Sequence, residues 1–315
     1  GNIDKSATTY WTTGNSPDGN DVTKGGVSQM LAGKTTRKVI TNMGGGNVLV
    51  DLNKTNAQNF YGSAAALELA LDVNSADVDD YLNWAIGKDV DDINNDGDTT
   101  DTRLNVFGDP LHSKPLTINY GGSANSQDVR IIVGTNAGAL HMFQDKGNTV
   151  DENWAFMPNE FVKNYKKLRD NFANTGKVYG IDGPATSYLF DKDGDGAIKQ
   201  IDGDKAWIFF GLRRGGSSYY AMDVSDPNNP KLMWHIDANT AGFSEMGQSW
   251  SQPRLTHTAI NIASNVPKPV LVFGAGYDIN KDSLSAGTAD SVGRGLFMVD
   301  AETGALLWSL TPAAT

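Results

Sequence analysis

Three stretches of this chain repeat one pattern, and that repeat constrains the fold more than any other feature. The stretches are VGTNAGALHMFQDKGNTVDENWAF, FGLRRGGSSYYAMDVSDPNNPKLMWHI and VGRGLFMVDAETGALLWSL. Each runs strand, Gly-containing turn, strand, acidic turn, strand. The shared skeleton is Gly, then Met142, Met222 or Met298, then Asp145, Asp223 or Asp300, then Trp154, Trp234 or Trp308. Period-two apolar runs flanking Gly-rich turns predict β-hairpins. They fall at residues 129–134 with 139–144, and at 207–211 with 218–224. Residues 270–274 and 296–300 pair with later strands, and 305–310 follows a Glu-Thr-Gly turn.

Hairpins whose outer strand carries a Trp are a mark of quinoprotein-like β-propeller blades, in which the ring packs between neighbouring blades. The alternative is a β-sandwich built from similar hairpins. The expected fold is therefore mainly β: a partial or modified propeller with a few short helices. The tryptophans are spaced more widely than one blade of about 40–50 residues, so inserts or weaker units lie between them. Residues 105–315 would make about four to five blades on that period, fewer than a seven- or eight-bladed ring.

Before residue 105 the pattern differs. Residues 1–46 are rich in Gly, Thr, Asn and Ser, with short strands expected at 38–41 and 47–51. Residues 65–73 have helical spacing. Ser75 reads as the N-cap of a second helix with an acidic first turn (Asp77, Asp79, Asp80) and an apolar face of Val78, Tyr81, Leu82 and Ile86. The expected organisation is a connector and helical region at 1–104, followed by a propeller segment at 105–315. One helix interrupts the β region, with Phe161, Tyr165, Leu168 and Phe172 on one face and Lys163, Lys166, Lys167 and Arg169 mostly off it.

Composition removes several classes of function. The 315 residues include no Cys, which excludes disulfides, a thiolate nucleophile and Cys-ligated zinc. A net charge of −11 argues against nucleic acid or anionic lipid as the main partner. No apolar run approaches the roughly 20 residues of a membrane helix, so no membrane insertion is expected. The first residues are polar and do not form a signal peptide.

The excess carboxylate is concentrated. Asp191, Asp193, Asp195 and Asp202 stand at positions 1, 3, 5 and 12 of a twelve-residue loop, with Gly196 at 6 and Ala197 at 7. This is a calcium-loop pattern: alternating Asp oxygens converge on one ion, Gly196 makes the turn, the Ala197 carbonyl adds a ligand and Asp202 closes the shell. The flanks read as strands, so the loop belongs to a β-hairpin and not to a helix–loop–helix. The alternative is a solvated acidic turn. A second candidate offers Asp92, Asn94, Asp96, Asp98 and Asp101 around Gly97, with Arg103 at position 12, so closure falls to Asp101. Six Asp lie between residues 89 and 101 and repel one another without a counter-ion. The alternative there is a disordered acidic linker.

Other motifs are weaker. Residues 211–216 (GLRRGG) lack the Lys-Ser/Thr ending of a phosphate loop and read as a hairpin turn. Residues 247–251 (GQSWS) lack the last Gly of a nucleophile elbow. His112, His141, His235 and His257 show no metal-ligand spacing. No base–nucleophile pair stands out, and the expectation is that the protein is not an enzyme.

Longer segments resemble a known family. YLNWAIGKD with TRLNVFGDPLHSKPLTINYG, WAFMPNEFV, YGIDGPATSYLFDKDGDG, GLRRGGSSYYAMDVSDPNNPKLMWHID, GQSWSQPRL, VFGAGYD and GRGLFMVDAETGALLW are similar, in order, to the C-terminal domain of the PilC/PilY family of type IV pilus tip-associated adhesins and biogenesis proteins. The resemblance spans about residues 80–315. It implies a modified quinoprotein-like propeller that binds Ca²⁺ and supports pilus assembly, extension and retraction, twitching motility and adhesion. It implies a protein secreted through the periplasm and outer membrane of a Gram-negative bacterium to the cell surface and pilus tip. Minor pilins and host-cell or abiotic surfaces would be its partners. An amino-terminal region, often von Willebrand A-like, is also implied. The family's calcium loop of alternating Asp/Asn fits both Asp92–Asn94–Asp96–Asp101 and Asp191–Asp193–Asp195–Asp202. Two further readings are a calcium-dependent pyrroloquinoline quinone dehydrogenase fragment, for which this chain has no Cys pair to stack on a quinone, and an extracellular module in which calcium is only a structural staple.

Overall fold

Antiparallel meanders dominate the computed structural model, which describes residues 3–12, 17–21, 23–123, 125–173, 176–283 and 289–312. Chain order is α1 (Gly26–Ala32), β1 (Val39–Thr41), β2 (Val50–Asp51), α2 (Lys54–Tyr61), α3 (Ala64–Leu71), α4 (Val78–Ala85), β3 (Leu116–Ser123), β4 (Ser126–Gly134), β5 (Leu140–Asp145), β6 (Val150–Phe156), α5 (Val162–Asp170), β7 (Thr186–Phe190), β8 (Lys205–Gly211), β9 (Tyr219–Asp223), β10 (Lys231–Ile236), β11 (Arg254–Ala263), β12 (Val266–Gly274), β13 (Leu296–Asp300) and β14 (Leu306–Leu310). The chain divides into two compact units, 1–109 with 117–178, and 110–116 with 179–315.

In the first unit, β3–β4–β5–β6 form a meander whose outer edge is extended by β1 and then β2. β1 runs parallel to β6, with Val39 opposite Ala155 and Ile40 opposite Phe156. Strands from both sides of residue 105 therefore share one sheet. Helices α2 to α5 pack together beside it. Asn53 and Ser63 cap α2 and α3 by accepting the N–H of Asn56 and Ala66. Ser75 does not cap α4 as expected. Residues Ser75–Asp77 tighten into a 3₁₀ turn, and the helix begins at Val78 with Asp79 and Asp80 in its first turn. Such a turn is a common lead-in to a helix and uses its own backbone bonds in place of a side-chain cap. Val78, Leu82 and Ala85 are its buried face. Phe161, just before α5, and Tyr165 on it are buried, but Phe172 lies beyond the helix end and is 65% exposed, because Asn171 turns left-handed and stops the helix.

The second unit holds two four-stranded meanders, β7–β8–β9–β10 and β11–β12–β13–β14. Their shared core includes Phe209, Tyr219, Trp234, Phe273 and Phe297. Trp234 lies on the outermost strand of the first sheet, and its indole N–H reaches across to the Ala301 carbonyl of the second, 3.0 Å away. This is the blade-to-blade Trp packing that the repeat predicted. Gly304 makes it possible: with φ +72 it closes the turn under the ring, and a Cβ there would come 2.8 Å from the indole.

The repeat has a common geometry in all three sheets. Asp145, Asp223 and Asp300 each turn a carboxylate back onto the N–H two residues later, of Gly147, Ser225 and Glu302. These Asx-turns end the third strand of each meander. The fourth strand then bulges by one residue just before its Trp, between Glu152 and Trp154, Leu232 and Trp234, and Leu306 and Trp308. A bulge re-aims the side chain that follows it. Trp154 and Trp234 are buried, whereas Trp308 is 45% exposed.

The described residues hold three four-strand meanders, where the residue count suggested four to five. Long inserts lengthen each unit: α5 lies between the first and second meanders, and the acidic loop lies inside the second. The sheets form a partial or modified propeller. No helix among the described residues is long and apolar enough to cross a membrane.

Candidate metal centre

The loop 191–204 joins β7 to β8, which are paired to their ends at Phe190 and Lys205. It is thus a hairpin loop, as its flanks suggested. Its base is held by Asp204, which is buried and accepts the N–H of Lys192 and of Lys199, both at 2.9 Å. Sequence spacing did not single out Asp204. Its signal was only that it ends the acidic run beside an apolar strand.

Above that base, the rim is made of Asp turns. Asp191 accepts the N–H of Gly194 (2.7 Å) and of Gly196 (2.8 Å), Asp193 that of Asp195 (3.2 Å), and Asp195 that of Ala197 (2.9 Å). Gly196, at φ +82, takes the left-handed conformation that swings the chain around the three carboxylates. The outcome is that Asp191, Asp193 and Asp195 bring one carboxylate oxygen each within 4.8 Å of one another, alone among the described residues in forming such a group. Oxygens bound to one calcium ion at about 2.3–2.6 Å lie no further apart than about twice that radius. The donor set is all oxygen, which suits a hard cation.

Charge within this group is uneven. The N–H of Gly196, helped by that of Gly194, holds the Asp191 carboxyl below its usual value. Asp193 is pushed up: the Asp195 N–H pulls it down, but desolvation and the neighbouring carboxylates outweigh that bond. Lys199 pairs with Asp195, which lowers the Asp195 carboxyl and raises the Lys199 ammonium. The same ammonium stands 3.9 Å from Asp202. Asp202 lies in a short 3₁₀ turn (Gln200–Asp202), outside the group of three. Ala197 is buried with its N–H committed to Asp195. Lys199 was missed in the sequence: its place four residues after Asp195 permits the pair but does not fix it.

The earlier acidic loop is built differently. Asp89 is buried and accepts the N–H of Ile93 and Asn94. Asp92 accepts those of Asp96 (3.0 Å) and Gly97 (3.2 Å). Asn94 donates its amide to Asp96 (2.9 Å) and Asp101 (3.1 Å), so its N–H groups occupy the space between the two carboxylates. Asp98 turns onto Thr100 (2.8 Å to N, 2.7 Å to Oγ). Asp101 is raised, by desolvation and by the charges of Asp96, Asp89 and Asp98. Arg103, at the twelfth position, leaves the loop. It is buried with its guanidinium 4.1 Å above the Trp84 ring, and burial lowers it to about 10.

Known proteins resemble this chain over the same region. A family profile described as the PilY1 β-propeller domain matches residues 105–310. That stretch contains Asp191–Asp202 and begins after Asp101. The chain is 28% identical over 228 residues to the type IV pilus biogenesis factor PilY1 of Pseudomonas aeruginosa, covering 65% of this chain and 17% of that protein. It is 30% identical over 181 residues to a PilY1 homologue of Xylella fastidiosa, covering 50% of this chain and 14% of that one. The crystal structure of the Pseudomonas aeruginosa PilY1 C-terminal domain matches with a TM-score of 0.37 at 26% identity, over 58% of this chain and 30% of that chain. The chain thus spans less than a fifth of the length of these curated relatives.

Proposed function

This chain belongs to the PilY1 β-propeller family, and on that premise we propose that it is the propeller module of a type IV pilus biogenesis factor, with a calcium site at Asp191–Asp202. The family match across both meanders of the second unit carries the first half of this reading. Its relatives are named as pilus biogenesis factors and not as enzymes, which favours a binding and assembly role over quinone chemistry. The module would act at the surface of a Gram-negative cell, reached through the periplasm and outer membrane. There it would meet minor pilins at the pilus tip and take part in extension, retraction, twitching and adhesion to host-cell or abiotic surfaces.

The converging carboxylates of Asp191, Asp193 and Asp195 support the second half. These three would hold the cation, with the Ala197 carbonyl and Asp202 completing the shell. A bound divalent cation supplies charge neutralisation and no bond chemistry. Asp204 keeps the loop base fixed whether or not the rim is filled. Lys199 partly neutralises the rim and would move aside on filling. Ordering this rim is the local event through which the module could respond to calcium.

Calorimetric calcium titration of the chain tests the site. Binding should disappear in Asp193→Ala and persist in Asp96→Ala; the reverse result moves the site to the earlier loop, and no uptake by the parent chain removes calcium from the reading. In bacteria carrying the full-length protein, Asp193→Ala should reduce surface pili and twitching. Normal pili in that strain would leave calcium as a structural staple only.

A further inference from the structure

The turn between β8 and β9 carries two adjacent arginines that no calcium or pilus argument uses. Arg213 and Arg214 open a 3₁₀ turn (Arg213–Gly215), and Arg213 sits in the left-handed region at φ 54. A non-Gly residue in that region is strained and persists only where its surroundings enforce it. Those surroundings are visible. The Arg213 N–H donates to the Ser249 carbonyl (3.2 Å), the Leu212 N–H donates to Ser249 Oγ (2.8 Å), and Ser249 is buried.

Both guanidiniums are stacked on aromatic rings. Arg213 lies 4.7 Å and Arg214 5.1 Å from the centre of Trp250, and Arg214 is 5.6 Å from Tyr179. Trp250 in turn packs on Tyr277 at 4.8 Å, and its indole N–H is held by Gln248 at 3.0 Å. Yet neither guanidinium makes a hydrogen bond among the described residues. Asp182 stands 3.7 Å from Arg213 and Asp282 3.8 Å from Arg214, at ion-pair range only. Each of those carboxylates has a closer partner, His112 at 2.7 Å and the Tyr277 hydroxyl at 2.8 Å. By contrast Arg37 and Arg169 close their forks on Glu152 and Asp91 at 2.7–2.8 Å and 2.7–3.3 Å. Arg213 is 23% and Arg214 36% exposed. Two planar forks are thus fixed in place by stacking, partly exposed, and met by carboxylates only beyond hydrogen-bond distance.

We propose that Arg213 and Arg214, stacked on Trp250, form a docking site for the carboxylate of an acidic peptide segment. A planar carboxylate matches a guanidinium fork with two parallel bonds, and stacking has already removed much of the side-chain entropy such binding costs. A dianionic phosphate would meet Asp182 and Asp282 beside the same forks. Tyr179, Trp250 and Tyr277 supply apolar surface for the peptide that bears the carboxylate. The site lies apart from the acidic rim at 191–202 and does not rest on calcium.

The test follows the Arg213 and Arg214 Nε–H resonances in ¹⁵N-labelled 315-residue chain during titration with acetyl-(Glu)₆-amide, acetyl-(Gln)₆-amide or inorganic phosphate. The hexaglutamate should shift both resonances saturably and the hexaglutamine neither. The double variant Arg213→Lys with Arg214→Lys keeps the charge and loses the forks, and should bind hexaglutamate about tenfold more weakly by calorimetry. Its melting temperature and calcium uptake should match the parent, which separates loss of the site from loss of the fold. Equal binding by the double variant, no shift at millimolar hexaglutamate, or tighter binding of phosphate than of peptide would each overturn the proposal.

Discussion

At the scale of single residues, the acidic rim shows how one spacing can serve two ends. Positions 191, 193 and 195 converge because each carboxylate is turned by a backbone N–H two to five residues on, and this much was legible as an alternating Asp pattern. The lysine on the rim was not legible, since sequence spacing does not tell which way a long side chain folds back. In the proposed site Lys199 would compete with calcium for Asp195, so Lys199→Met should tighten calcium binding. An exposed pair is weak, so the gain should be only roughly 1.5- to 5-fold in affinity, readable by calorimetry. Proton competition acts on the same oxygens. Asp193 is shifted upward, so calcium affinity should fall on acidification before the other two rim carboxylates protonate, and titrations stepped from pH 7 to pH 4 would show it. In the earlier loop the same alternation of Asp and Asn is spent on Asx-turns and on the Asn94 bridge. Alternation alone therefore does not distinguish a convergent set from a chain of turns.

At the scale of the element, the third and fourth strands of each meander are the unit that the sequence spelled most clearly. Met, Asp and Trp recur because the Asp ends one strand and the bulge aims the Trp in the next. The bulge itself left no common sequence signal: of the residues passed over in the pairing, Asn153 is polar whereas Met233 and Leu307 are apolar. Ser75 was misread for a similar reason, since a 3₁₀ lead-in and a capped helix start with the same residues. Trp234 is buried between sheets and hydrogen-bonded to Ala301, whereas Trp308 stands half in solvent. Trp234→Ala should cost about 3–5 kcal/mol in denaturant unfolding, and Trp308→Ala well under half of that. Equal losses would mean that the Trp acts within its own sheet and not across two.

At the scale of the whole molecule, a buried charged cluster ties its first sheet to the helical region. Arg37 grips Glu152 with two bonds of 2.7 and 2.8 Å, donates to the Ile86 carbonyl at 2.7 Å, and shares Glu152 with His141, 2.8 Å away. Burial opposes the Glu152 charge, but His141 and Arg37 outweigh it and hold the carboxyl at about 2. Burial also lowers His141, so its ring is neutral and donates from Nδ1, with Nε2 facing no partner. Both shifts are downward from the unfolded values, so both groups bind more protons unfolded than folded. Stability should therefore be full above about pH 6.5, erode first through His141 as pH falls, and erode further between about pH 4.5 and 2 through Glu152. Thermal melts across that range check it, and His141→Gln should flatten the upper part. Glu152→Gln should cost about 3–5 kcal/mol, because it leaves Arg37 buried without its counter-charge. None of this cluster was legible in the sequence, since its members lie up to 115 positions apart. The count of four to five meanders was too high, because it divided the whole residue span by the blade period although the wide tryptophan spacing already marked inserts.

The parallel seam between β1 and β6 joins residues 116 positions apart, and this sets an order of events for the emerging chain. β1 leaves first and can pair with β2, but it has no meander edge to join until β3 through β6 have been made and folded. The strand next to the outermost one is thus the earliest by synthesis and among the last to join the meander, a slow, non-local closure. A fragment begun at residue 105 would skip that wait but leave β6 with a bare row of backbone donors and acceptors. It should self-associate at concentrations where the full chain stays monodisperse in light scattering.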